Sequence, residues 1–286
     1  MKSVLAYDAT NAMCCFLIKY MDAELLIYFG YLLAGIVAGV VNTLAGGASV
    51  LILSILLFMG MPANIANGTN RLGILVQNFT GTSTFYKSGL LDIQGSLKYI
   101  IPSVIGAIGG AMIAADIDQD TLEIFVGVIM TFMLIPIIFK PQGKKSTFYK
   151  NKDKKGFKIL NFVIFLLIGF YGGFVQAGIG LIIMVVLPQI SNLSLIKGNA
   201  VKMAIIFIYT IPVMLVFIIN GQVDWWVAIW LAIGQVLGTR IAGKFVVNHP
   251  QANKWVRVLL ICMVSVSIIK MFGIVDVVLA TLDNNT

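Results

Sequence analysis

Apolar residues run along this chain in long blocks, broken by short polar turns. The blocks fall at about 25–45, 48–60, 64–86, 96–115 and 120–139, then at about 159–177, 179–190, 197–219, 225–247 and 254–275. Most are about 17–25 residues long, the length of helix that crosses about 30 Å of hydrocarbon. The second block of each set is only about a dozen residues, too short to span at 1.5 Å per residue. The pattern predicts an all-α polytopic membrane protein with five segments in each half, the short one forming a broken or hairpin pass.

The two halves share an ordered series of residues. Gly35, Gly39, Val41 and Gly46 recur as Gly169, Gly173, Val175 and Gly180, and Asn42 falls on Gln176. Farther on, Gly89 and Asp92 recur as Gly221 and Asp224, Gly106 as Gly238, and Gly68 as Gly198. The spacing changes only across turns, so a duplication explains the series better than chance among glycine-rich helices. The first repeat is assigned to residues 24–139, a basic loop to 140–158 and the second repeat to 159–275.

Charge orients the halves. The run from Lys140 to Lys158 holds eight lysines and one aspartate, which is seven of the net eight positive charges. Under the positive-inside rule this loop is cytoplasmic. The turn before the 120–139 segment carries Asp116, Asp118, Asp120 and Glu123 and no base, so it reads as outside. Its counterpart in the second half is flanked by Arg240, Lys244, Lys254 and Arg257 and reads as inside. Related halves of opposite orientation are inverted repeats, a common plan for secondary transporters. Four-plus-four parallel halves remain open if the short segments do not cross.

Composition agrees with lipid as the solvent. Of 286 residues, 59% are hydrophobic and 11% charged, where a soluble domain has about a quarter charged. Cys14, Cys15 and Cys262 form no CxxC, and the only histidine is His249, so no metal or redox site and no cofactor is indicated. There is no HExxH, no GxSxG and no P-loop, which argues against an intramembrane enzyme or a self-contained ATP-driven pump.

Two features carry candidate chemistry. At "NTLAGGASV" (Asn42 to Val50) and "QAGIGL" (Gln176 to Leu181), an amide and several glycines stand where a long segment meets a short one. Glycine lets the backbone leave the helix, and the following helix N-terminus offers free N–H groups to an anion. Asn42, Gly46, Gly47, Gln176, Gly178 and Gly180 are the candidates there. The pairs Gly35–Gly39 and Gly169–Gly173 are read as helix-packing GxxxG motifs.

The second feature is charge inside the apolar blocks. Arg71 stands in "NGTNRLGILVQN", and Lys202 in "KGNAVKM" at a similar depth in the other half. A charge within a membrane segment is costly and marks a functional site by default. Neither has a carboxylate at matching depth, so both are candidates to hold an anion, with Thr69, Asn70 and Asn199 beside them. Snorkelling to the interface is the competing reading. Asp92 and Asp224 read as helix N-caps.

With those motifs, the chain resembles the sulfite exporter TauE/SafE family over about Gly30 to Gly273. The resemblance rests on "GVVNTLAGGASVL", "GTNRLGILVQ", "GNAVKM" and the repeated glycine–aspartate turns. Many members carry a proline soon after the first glycine run, whereas here it comes only at Pro62. The resemblance implies a bacterial inner-membrane permease for sulfur-containing anions such as sulfite or organosulfonates. Its partners would be a small anionic substrate and membrane lipid, with no nucleic acid and a homo-oligomer allowed. Ion-coupled uptake and a non-transporting membrane component are the alternatives to export.

Overall fold

A computed structural model of the protein describes residues 25–43, 48–139, 155–191 and 193–245. These residues form helices joined by short turns. The first half contains α1 (Leu25–Thr43), α2 (Ala48–Phe58), α3 (Ala63–Lys87), α4 (Ile93–Asp116) and α5 (Gln119–Phe139). The second contains α6 (Lys155–Phe174), α7 (Ile179–Ile190), α8 (Leu195–Ile219) and α9 (Trp225–Phe245). The expected segment at 254–275, most of the basic loop, Gly46 and Gly47 lie outside the described residues.

α1, α4, α8 and most of α6 are long and apolar enough to cross a membrane, whereas α2 and α7 are not. The short second segment of each half is therefore a helix of 11 or 12 residues. α3 is long, at 25 residues, yet it is not among those four. It spends its interior on polar groups: Asn67, Thr69, Asn70, Arg71, Gln77 and Asn78 are all buried. Lipid-facing positions are apolar instead, as Leu97, Ile101 and Ile105 on α4 and Val163 and Leu167 on α6 show. A protein in lipid places its polar groups inward, where backbone and amides satisfy one another.

Glycines set the closest helix contacts. Gly169 and Gly173 of α6 lie against Ser103 and Ala107 of α4, and a Cβ on Gly173 would sit 1.9 Å from the Ala107 carbonyl oxygen. Gly35 and Gly39 of α1 lie in the same way against Leu231 and Gln235 of α9. Both GxxxG pairs thus pack helices, as the sequence indicates. Their partner helices return the contact with small residues of their own, Gly106 and Gly110 on α4 and Gly234 and Gly238 on α9. The first helix of each half packs on the fourth helix of the other, so the halves interlock.

The repeated glycine–aspartate turns are built alike. Gly89 and Gly221 both adopt φ +67°, a left-handed backbone that glycine tolerates best. The Gly95 N–H donates to Asp92 at 3.0 Å, and the Val227 N–H to Asp224 at 3.1 Å. Both aspartates therefore cap the next helix.

α7 turns back along α6. Phe157 and Lys158 at the start of α6 line the same cavity as Ile190 at the end of α7 and Lys197 at the start of α8. The junction between α6 and α7 is left in the interior, against the middle of α3.

Candidate functional site

Ending α6 in the interior leaves its last carbonyls without helical donors. α3 supplies them. The Arg71 guanidinium donates from Nη1 to the Gly172 carbonyl and from Nη2 to the Gly173 carbonyl, both at 2.6 Å. One turn earlier, Asn67 Nδ2 donates to the Phe174 carbonyl at 2.7 Å. Asn67 Oδ1 accepts from Arg71 Nη2 at 3.1 Å, which fixes the pair. The face of Phe217 lies 5.0 Å from the guanidinium carbon.

Arg71 is completely buried, so it does not snorkel. Its charge lies against the negative end of the α6 dipole and an aromatic face, which compensate it without a carboxylate. Only Nε is left without a hydrogen bond.

Beyond Phe174 the chain leaves the helix. Gln176 takes φ +62°, unusual for a residue with a side chain, and Gly178 takes φ +68°. The Tyr171 hydroxyl donates to the Ala177 carbonyl and braces the bend. Ser49, in the first turn of α2, then joins the halves. Its hydroxyl donates to the Gln176 carbonyl at 2.9 Å and accepts the Gly178 N–H at 3.1 Å. The N-termini of α2 and α7 therefore meet, one from each half. Each brings unsatisfied N–H groups and a partial positive charge of roughly half a unit.

A cavity of about 10 Å³ lies at this meeting point, with room for about one water molecule. Its polar lining is Asn42, Ser49, Gln77, Asn78 and Gln176, with Gly180 at the mouth of α7. Asn42 donates to Gln77 Oε1 at 2.8 Å, and Gln77 donates in turn to Thr239 at 2.8 Å and to the Gly39 carbonyl at 3.2 Å. That chain ties α1, α3 and α9 together. Asn78 Oδ1 and Gln176 Oε1 are buried with no donor among the described residues. A side-chain amide so placed accepts from a ligand, or turns and donates to it.

The structure brings Asn42, Gln176, Gly178 and Gly180 to one place and distributes the other candidates around it. Asn70 is one bond away, its amide donating to the Ser49 carbonyl at 3.5 Å. Thr69 accepts the Asp224 N–H at 2.9 Å and so supports the turn before α9. Arg71 is on the α6 carbonyls. Asn199 is half-buried on α8 and does not line the cavity.

Lys202 is 2% exposed and makes no hydrogen bond among the described residues. Helical spacing puts it on the face of α8 that carries Ile206, which lines the cavity.

Ser49, Gln77, Asn78, Thr210 and Thr239 belong to this polar centre and were not among the candidates. Ser49 had a visible signal, a hydroxyl two residues after the glycine run. Thr210, which accepts from Gln176 at 3.4 Å, had none, because a lone threonine in an apolar helix usually bonds its own backbone.

Comparison with known proteins places the chain among membrane transporters. The family model described as Sulfite exporter TauE/SafE matches residues 31–271. A probable membrane transporter protein, ORF9 of Sinorhizobium sp., is 26% identical over 74% of this chain and 80% of its own length. The probable membrane transporter protein YfcA of Escherichia coli K12 is 23% identical over 81% of this chain and 85% of its own. One from Haemophilus influenzae is 22% identical over 75% and 83%. No solved structure matches. With its family match spanning nearly the whole helical region, this chain belongs to the sulfite exporter TauE/SafE family of integral membrane transporters.

Proposed function

We propose that this protein is a secondary transporter that exports small sulfur-containing oxyanions, such as sulfite or organosulfonates, across a bacterial plasma membrane. The observation that carries this reading is the meeting of the α2 and α7 N-termini at a buried cavity lined by amides and a hydroxyl. Two positive helix ends and neutral donors favour an anion. The family's description supplies the sulfur chemistry.

Alternating access between inverted halves suits the interlocked packing and the equivalent turns. The cavity is too small for an oxyanion as it stands, so uptake requires the Ser49 contacts to part and the α7 end to move. Lys202 stands on α8 about one turn before Ile206, which lines the central cavity. It would draw the anion inward to the centre. With the cell interior negative, each outgoing negative charge gains about 2.3 kcal/mol per 100 mV, so export needs no separate proton relay.

Flux in proteoliposomes tests this. Labelled sulfite and a small sulfonate are offered under an imposed potential and then under a pH or sodium gradient. Export driven by potential alone is expected. Flux that follows only the ion gradient overturns the export reading in favour of coupled uptake, and no flux with any such anion overturns the substrate class.

A further inference from the structure

We propose a second binding site, for the headgroup of an anionic phospholipid, in the cavity between the first turns of α4, α6 and α8. This cavity has a volume of about 910 Å³ and shares no lining residue with the central one. It opens on the side of the membrane where the basic loop leads into α6. Lys98, Lys158 and Lys197 line it from three different helices, and all three are exposed. Among the described residues Asp92 is the one carboxylate in the lining, and it is engaged by the Gly95 N–H.

A further polar group marks the site as built for a ligand. Asn161 on α6 lines the same cavity and is 9% exposed, yet its Oδ1 has no hydrogen-bond donor among the described residues. A ligand bearing both phosphate oxygens and hydroxyls, as phosphatidylglycerol does, would satisfy the lysines and this amide together.

Size and polarity select a lipid over a free anion. The volume is in the range that holds a drug-sized molecule, far above what a single small oxyanion needs. Part of the wall is apolar and open, with Leu97 42% exposed, Ile101 51% and Phe162 44%. An acyl chain would lie along that wall with its phosphate among the lysines. The equivalent turn in the other half, Gly221 to Asp224, runs into Trp225, Trp226 and Trp230 with no base near it in sequence. The two sides therefore differ as a basic, anionic-lipid side differs from an aromatic interface.

The test is native mass spectrometry of the full chain taken from bilayers of mixed phosphatidylglycerol and phosphatidylcholine. Wild type should retain phosphatidylglycerol preferentially, and K98Q/K158Q/K197Q should lose about fivefold of that preference per lysine removed. Ile101→Trp, which fills the apolar wall and leaves the lysines in place, should also lower retention; it keeps the test decisive if the triple variant folds poorly. Unchanged preference in a folded triple variant, or in Ile101→Trp, overturns the proposal. Displacement of the lipid by millimolar inorganic phosphate also overturns it, by showing a site for a free oxyanion.

Discussion

Arg71 Nη1 lies 2.6 Å from the Gly172 carbonyl oxygen, a contact between residues 101 positions apart in the chain. The charge that looked most like a ligand-binding group is seated on the end of a helix. Gly172, Gly173 and Phe217 belong to the other half, so Arg71 is also a fastening between halves.

Arg71→Ala should therefore act first on stability. It strips the donors from two buried carbonyls, at about 1–3 kcal/mol each. A lowered unfolding temperature in detergent, followed by tryptophan fluorescence, is the expected result. An Arg71→Ala protein with wild-type stability and no flux would return Arg71 to the substrate.

Lys202→Met should do the reverse. The ammonium is buried without a hydrogen bond among the described residues, so an apolar side chain of similar length relieves a desolvation cost. The unfolding temperature should rise while anion flux falls. Wild-type flux in this variant would take Lys202 off the path.

Ser49→Ala removes one hydroxyl that serves both the Gln176 carbonyl and the Gly178 N–H. Two lost bonds of about 1 kcal/mol each change the balance between closed and open states by about tenfold or more. Flux should shift by that order with little change in secondary structure. Circular dichroism beside proteoliposome assays checks both halves of the claim.

Gly173→Ala should be severe and Gly109→Ala mild. A Cβ at 173 meets the Ala107 carbonyl at 1.9 Å, so α4 and α6 must separate, whereas no described residue lies within 4 Å of a Cβ at 109. In a helix interior the second change is worth about 0.5–1 kcal/mol in favour of alanine. Comparing their unfolding temperatures tests the packing directly.

Much of the architecture is local and was legible. Apolar block length predicts the helices, and the glycines at 178 and 180 predict where α6 ends. Asp92 and Asp224 reveal themselves as caps because a cap bonds a residue three positions on. Half of the candidate site was legible for the same reason. Asn42 and Gln176 stand beside the breaks, and a broken helix must expose polar backbone whatever packs around it. Gln77 and Thr239 were not legible, because their 2.8 Å bond joins helices 162 positions apart and no local pattern announces it.

The sequence by itself determined the solvent, the helices and the break after α6, since each depends on residues within a few turns of one another. The tertiary structure alone decided what the two buried cations meet. Both are long basic side chains in apolar segments, and the sequence treats them alike. Arg71 finds the open carbonyls at the end of α6, where the helix dipole and Phe217 neutralise it. Lys202 finds no such acceptor among the described residues. A charge in a low-dielectric interior takes its role from whichever partner the fold brings within about 3 Å, and that partner is set by packing between distant segments.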